Sequence, residues 1–150
     1  MRKFMKSIMA AGLAVAVIGI GSAVTSASYA DAVKDRKAAM KTVAKSNKAM
    51  GKAAKAGDKA AAVANANALI ASAKQFVTLF PKGTDRGKLG EKATRAKPEI
   101  WAEWSKFETA NNAMIAQAMK VAAGDLSAAK AMGKTCGGCH KPFRGPKAKK

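Results

Sequence analysis

Four stretches of this chain place small or apolar residues at helical spacing, and three breaks separate them. The stretches cover residues 32–56, 59–80, 98–123 and 126–141, and the breaks fall at 57–58, 81–97 and 124–125. Apolar residues that recur every three or four positions indicate amphipathic helices, and Gly, Pro and Asp mark their ends. Two of the breaks are short, so the pattern predicts an all-α fold, an antiparallel four-helix bundle.

The long break, residues 81–97, reads PKGTDRGKLGEKATRAK and has three glycines, many charges and no periodic apolar pattern. Such composition is typical of loops. We therefore expect a surface crossing with at most one short helical turn.

The predicted helices are faced largely with alanine, and aromatic residues make up only 5% of the chain. Alanine buries little apolar area, so a core built on it is thin. This composition indicates that something other than side chains fills the middle of the bundle.

The last predicted helix carries the sequence CGGCH at residues 136–140, which has the C-x-x-C-H form of c-type haem attachment. On a helix the Cys136 thiol and the His140 imidazole lie on one side, and the Cys139 thiol is one residue round from the imidazole. All three can meet one porphyrin. We therefore predict one covalent haem c, bound through Cys136 and Cys139 with His140 as an axial iron ligand. The flat apolar face of this haem would complete the thin core.

Three other interpretations of the motif fit less well. A dithiol redox motif usually begins a helix that follows a strand, and no strand is predicted here. A zinc site needs about four ligands, whereas the chain has two Cys and one His. A structural disulfide suits an exported protein, but it would close a tiny loop and leave His140 unexplained.

With this motif on the last of four helices, the chain resembles the cytochrome c′ family, the class II c-type cytochromes, over nearly all of residues 31–144. The resemblance is carried by CGGCHKPFR near the C-terminus, FPKGT after the second helix and RAKPEIW at the start of the third. In this family an Arg and the residue at the sixth iron position lie four apart on the first helix. The resemblance implies that this pair is Arg36 and Met40, with position 40 opposite His140.

The residue type at position 40 separates two functions. Typical cytochromes c′ have an aliphatic residue there, which leaves five-coordinate, high-spin iron that takes nitric oxide or carbon monoxide. A Met sulfur paired with His gives a low-spin centre suited to electron transfer, so we predict Met40 as the second axial ligand, as in the low-spin members. Most Met residues on a helical stripe are simply core, and four other methionines are rival ligands: Met50, Met114, Met119 and Met132.

Four further residues are candidates for the haem pocket. Arg36 can pair with a haem propionate through a charge-assisted hydrogen bond. Phe143 and Arg144 follow the motif and can cover the proximal edge, and Trp101 is expected to pack near the macrocycle. The alternative for each is ordinary bundle packing, or for Arg36 an exposed base.

The N-terminus reads as a secretory signal: a basic MRKFMK, an uncharged run over residues 8–24 and then the small residues TSASYA. Ser28 and Ala30 suit cleavage before Asp31. We therefore predict a cleaved signal peptide over 1–30, a periplasmic cytochrome c′-like bundle over 31–150, and no stable membrane insertion after cleavage. The apolar run has 17 residues, close to the roughly 20 of a spanning helix, so an uncleaved anchor is the alternative.

The formal charge of the chain is +19, and loss of the signal peptide leaves about +16. Such a charge indicates an acidic partner or surface, although a solvated lysine coat is the alternative. Export takes the protein away from nucleic acid, so we expect no nucleic-acid partner. The family's dimers use the first two helices, so a homodimer is possible, but lysine repulsion there would oppose it.

The main functional hypothesis is a periplasmic electron carrier with His140 and Met40 as axial ligands and an acidic redox partner. The second is a high-spin protein that binds nitric oxide or carbon monoxide, and the third is a haem-free helical adaptor. The sequence shows no second His and no paired carboxylates near the motif. We therefore predict no dedicated enzyme.

Overall fold

The computed structural model describes residues 26–149, with side chains from residue 29 onward. Residues 1–25 of the predicted signal peptide lie outside this range, so its cleavage stays a prediction. The helices are α1 (Ser26–Lys55), α2 (Lys59–Phe76), α3 (Arg86–Leu89), α4 (Glu99–Ala102), α5 (Trp104–Ala122) and α6 (Met132–Phe143), with 3₁₀ turns at Val77–Leu79 and Leu126–Ala131. None of the helices in the described range has the length and hydrophobicity that a membrane crossing requires.

The predicted all-α four-helix bundle is confirmed. Its long helices pack in sequence, α1 on α2, α2 on α5 and α5 on α6. The described residues form no strand, only an isolated antiparallel bridge between Ala96 and Arg144. That bridge ties the long crossing to the end of α6.

Both short breaks have the predicted turn chemistry. Gly57 and Gly124 adopt φ of 74° and 100°, which favours glycine. The Asp58 carboxylate accepts a hydrogen bond from the Ala61 amide at 2.9 Å, and Asp125 accepts one from Ser127 at 3.0 Å. These caps satisfy backbone donors at the start of α2 and of the segment that leads into α6.

Two glycines at and before the turn between α1 and α2 provide a test of the backbone conformation assigned there. Gly51 lies inside α1 and Gly57 in the left-handed turn, and an added Cβ would meet no atom within 4 Å at either position. Gly51→Ala should therefore stabilise the protein by about 0.5–1 kcal/mol, and Gly57→Ala should destabilise it by about 1–2 kcal/mol. The measurement is the free energy of unfolding in urea. Equal effects of the two substitutions would contradict the assigned turn.

The predicted third and fourth helices are less regular than expected. Glu103, at φ −123° and ψ 46°, divides the third into α4 and α5. This break lets Trp101 close over Phe80 while α5 continues along the bundle. The fourth begins as a 3₁₀ turn, and Pro142 lies inside α6 instead of ending it. Pro142 removes one backbone donor, and burial of Phe143 in the core favours the extra turn.

The predicted surface crossing is wrong in one respect, because residues 81–97 fold partly inward. Thr84 is fully buried and Thr94 is 4% exposed. Asp85 is also buried, and its carboxylate accepts hydrogen bonds from the Gly87 and Lys88 amides at the start of α3. The buried threonines bind a residue of α1 described below, which is why this polar segment is not on the surface.

The core has two halves. One is rich in alanine and includes Ala62, Ala66, Ala73 and Ala118, all fully buried. The other is aromatic, with Phe76, Phe80, Ile100, Phe107 and Phe143. Met40 packs against both halves, while Cys136 packs against the first and Cys139 against the second. The motif therefore lies where the two halves meet.

Candidate haem site

A cavity of about 490 Å³ opens at this junction. Cys136, Cys139 and His140 of α6 line it together with Arg36 and Met40 of α1. The bundle thus brings the predicted attachment motif and the predicted distal pair to one cavity, although about 100 residues separate them along the chain. The volume is in the range of small-molecule and cofactor sites, about 300–1,000 Å³.

The two cysteines are half-buried and are not joined by a disulfide. Burial, and then the nearby Cys136, raises the pKa of Cys139 to about 11, and burial also raises the pKa of Cys136. Both thiols are therefore protonated at neutral pH. Dithiol redox catalysis needs a lowered pKa, so this environment fits attachment to a cofactor better than redox exchange.

The His140 imidazole is half-buried at the cavity wall. Burial lowers its pKa, and the positive charges of Arg144 and Arg95 lower it further. The neutral imidazole is the form that binds a metal. The site therefore favours the protonation state that an axial iron ligand requires.

Arg36 is 6% exposed and held by the long crossing. Nη1 donates to Thr84 Oγ1 at 3.3 Å, and Nη2 donates to the Thr84 carbonyl at 3.0 Å and to Thr94 Oγ1 at 3.2 Å. The guanidinium also lies 4.5 Å from the centroid of the Phe80 ring. In this part of the structure the crossing and α1 are thus joined through one buried cation.

Burial lowers the pKa of Arg36 to about 10. Among the described residues, no carboxylate lies within ion-pair distance of its guanidinium. A buried charge is costly without an ionic partner, and this one borders the cavity. The arrangement calls for an anionic group on the molecule that occupies the cavity.

The residues present fit haem c. The cavity wall is mostly apolar, as the porphyrin faces require, and its cations could receive the two propionates. Besides Arg36, those cations include Arg95, whose Nε donates to the Gly145 carbonyl at 2.7 Å, and the exposed Arg144. The thiols and imidazole supply the attachment and ligation groups, so the cavity meets each chemical requirement of the cofactor.

The structure separates the predicted thioether ligands. Met40 and Met114 both line the cavity. Met50 and Met132 are buried in the alanine-rich core, and Met119 is 56% exposed on α5. Three of the rivals are therefore absent from the cavity wall, and Met114 remains as the one to compare with Met40.

The two predicted aromatic residues have different places. Phe143 lines the cavity and packs edge-on against Phe107, with ring centroids 5.4 Å apart. Trp101 is not part of the wall: its indole donates to the Phe80 carbonyl at 3.0 Å, and the two rings lie 6.0 Å apart. Trp101 therefore supports Phe80, which lines the cavity.

Several functional residues escaped the sequence analysis. Thr84 and Thr94 hold Arg36. Thr84 ends the quoted FPKGT sequence, which could have singled it out, whereas Thr94 lies in an aperiodic polar segment that gives no local sign of such a role. Arg95 lies in the quoted RAKPEIW sequence, which could have singled it out. Asn111 lines the cavity, and its amide donates to the Ala73 carbonyl at 3.1 Å, but its place on the helical stripe suggested only packing.

A c-type attachment motif on the wall of a cofactor-sized cavity, within a four-helix bundle, defines a bundle-type c-type haem cytochrome. The model of the family described as Cytochrome C′ matches residues 31–144. The chain belongs to the cytochrome c′ family.

Solved structures agree with this assignment. Cytochrome c′ from Rubrivivax gelatinosus is 28% identical, with 77% of this chain and 96% of that chain covered and a TM-score of 0.65. A nitric oxide complex of a mutant cytochrome c prime from Alcaligenes xylosoxidans is also 28% identical, with 79% and 97% covered and a TM-score of 0.65. The recombinant native protein from the same organism is 27% identical, with the same coverage and a TM-score of 0.66. No curated protein gave a significant match.

Family membership establishes the cofactor as one covalently attached haem c. It does not support the prediction of a low-spin, methionine-ligated member, because cytochromes c′ are typically five-coordinate and high-spin. The resemblance implied that position 40 faces the iron, and the thioether of Met40 then suggested a ligand. A thioether at the cavity wall binds iron only if its sulfur reaches the metal.

Proposed function

We propose that this protein binds a small gas, nitric oxide or carbon monoxide, at a high-spin haem. The observation that carries the proposal is the likeness of this chain to the Alcaligenes xylosoxidans protein, a mutant of which is known as a nitric oxide complex and aligns over 97% of its length. Haem c, when bound, would supply an iron that can take such a ligand. The residues of this chain would supply the imidazole that binds the iron and the apolar wall around the gas.

Each group has a separate role in the proposal. His140, whose pKa is lowered by its surroundings, would bind the iron of the haem through its neutral imidazole. On α1, Met40 and Val43 give the cavity an apolar wall, which limits the entry of water and suits a neutral gas. The Met40 side chain is unbranched and flexible, so it can move aside without disturbing the helix.

Electron transfer is the second candidate, and one observation favours it. Met40 lines the same cavity as His140, and a His and Met pair would raise the reduction potential of haem. In that case the thioether would be an iron ligand and would exclude gases. The two candidates therefore differ in what Met40 does.

We also propose that the protein acts in the periplasm after signal-peptide cleavage. Family membership supports this, together with the N-terminal sequence. No chemical conversion of a substrate is part of the proposed function.

Optical spectra of holoprotein recovered from the periplasm test these proposals. Gas binding predicts a high-spin wild type in both oxidation states and a ferrous form that binds carbon monoxide. Met40→Leu should keep the high-spin spectrum and change carbon monoxide affinity by at most about tenfold, equivalent to about 1.4 kcal/mol. Met114→Leu is the matched control, because Met114 also lines the cavity.

A low-spin wild type that resists carbon monoxide would contradict the gas-binding proposal. If Met40→Leu then produced a high-spin, gas-binding protein and Met114→Leu did not, electron transfer with Met40 as ligand would replace it. Recovery of the protein only from the cytoplasm would contradict export.

A further inference from the structure

Seven lysines form a continuous row along α1, at intervals of three or four residues from Lys34 to Lys55. At 100° per residue they fall within an arc of about 80°, and the row is about 32 Å long at 1.5 Å per residue. All seven are exposed. We call this row the lysine ridge.

The acidic residues of α1 lie only near the N-terminal end of the ridge. Asp35 is the last carboxylate of α1, and the ion pairs of the described residues involve Arg86, Lys97 and Lys106 instead. Like charges three or four residues apart each cost a helix about 0.2–0.5 kcal/mol. The ridge therefore weakens the free protein, and an anionic partner would remove that cost.

The ridge also borders the haem cavity. Lys37, Lys41 and Lys48 line the cavity, and Arg95 and Arg144 line it from other segments. In the part of the chain that the structure describes, no acidic residue lines it. Two propionates can neutralise only part of this charge. Nitric oxide and carbon monoxide are neutral, so the proposed gas binding gives the ridge no purpose, and the ridge is much longer than a small anion.

The structure favours a protein as the occupant over a membrane. The apolar face of α1, with Val33, Val43 and Met50, is buried in the bundle. It therefore offers no apolar side chains for insertion at a lipid surface. Among the described residues, one large hydrophobic side chain is exposed, that of Met119, and it lies on α5 and not on α1. A second copy of this chain would bring the same positive charge and would be repelled.

We propose that the lysine ridge is a docking surface for an acidic protein, which aligns a row of carboxylates along α1 and covers the mouth of the haem cavity. Charge complementarity over a long, straight surface favours fast association with an oppositely charged partner. This inference goes beyond gas binding, because it assigns a macromolecular partner to a surface that the gas does not need.

The test compares two doubly substituted holoproteins with the same net charge. Lys45→Glu/Lys52→Glu changes ridge residues that do not line the cavity, and Lys74→Glu/Lys120→Glu changes exposed lysines on α2 and α5. The probe is poly-L-glutamate at low ionic strength, with affinity measured by calorimetry. The ridge variant should bind at least about tenfold more weakly than wild type and the control at most about twofold, and added salt should reduce the difference.

The ridge variant should remain folded, because its new glutamates lie three or four residues from Lys41, Lys48 and Lys55 and can pair with them. A thermal unfolding curve checks this. Backbone amide shifts on adding poly-L-glutamate should cluster on α1 and around the cavity mouth. Carbon monoxide spectra of the variant should not change, so failure of the docking proposal can be told apart from failure of gas binding.

Three results would overturn the proposal. Equal weakening in both variants would show that only the overall charge matters. Ridge-dependent binding to phosphatidylglycerol vesicles with none to poly-L-glutamate would assign the surface to a membrane. A dimer of wild type that the ridge substitutions dissociate would assign it to a second copy of the chain.

Discussion

Cys136→Ser/Cys139→Ser is expected to give a protein that carries no covalent haem and has lost most of its net stability. The cavity measures about 490 Å³, and at about 24 cal/mol per Å³ an empty cavity of that size would cost about 12 kcal/mol. This is an upper bound, because water can enter at the mouth. A whole domain is stable by only about 5–15 kcal/mol, and alanine-faced helices have few side chains that could fill the space.

Haem staining after denaturing electrophoresis and near-ultraviolet circular dichroism measure the two effects. Wild type should stain and show fixed aromatic signals, and the double variant should show neither. Thr135→Ala is the control, since Thr135 adjoins the motif without lining the haem cavity. A wild type that does not stain, or a double variant that unfolds cooperatively within about 2 kcal/mol of wild type, would support the haem-free adaptor instead.

The sequence predicted the parts of this molecule that depend on neighbouring residues. Helical spacing identified the four long segments, and Gly57 with Asp58 marked a turn that the structure reproduces. The attachment motif was equally local, because its chemistry depends on residues 136–140 alone. Short-range geometry determines each of these features, so one sequence was sufficient.

The buried crossing could not be predicted in the same way. Thr84 and Thr94 are inside because Arg36, 48 and 58 residues away, needs hydrogen-bond acceptors there. A polar segment without periodicity looks exposed unless its distant partner is known. The break at Glu103 has the same origin, since Trp101 packs against Phe80 from another part of the chain.

The place of each candidate ligand was also a long-range property. Residue type allowed five methionines as iron ligands and the resemblance favoured Met40, but the fold was needed to show that Met114 also reaches the cavity and that the other three do not. Trp101 was expected to pack near the macrocycle, yet it lies behind Phe80. The Arg36 and Met40 pair came from family resemblance, and the structure places both at the cavity wall.

Arg36→Met is expected to destabilise the holoprotein by about 3–5 kcal/mol, the effect of removing one partner of a buried ion pair. The sign of the effect is informative. If the Arg36 charge were unpaired, its substitution would relieve an unfavourable burial. Burial lowers its pKa to about 10, which corresponds to roughly 3 kcal/mol and to less where water at the cavity mouth screens the charge.

If Arg36 pairs with a haem propionate, its substitution should instead lower the stability of the holoprotein. The substitution then leaves an anion in a largely apolar cavity and also removes the donors that Thr84 and Thr94 accept from. The linkage has the same direction: a base with a lowered folded-state pKa opposes folding at neutral pH, and this cost is relieved only as the pH rises above about 10. At neutral pH the charge therefore needs a partner.

Chemical denaturation of the holoproteins at pH 7, followed by circular dichroism, measures the change in unfolding free energy. Lys37→Met is the matched control, because Lys37 also lines the cavity from α1 but is exposed; it should change the free energy by less than about 0.5 kcal/mol. An Arg36→Met protein as stable as wild type, or more stable, would show that the propionates bind elsewhere. In that case Arg95 and Arg144, the other arginines at the cavity, become the residues that hold them.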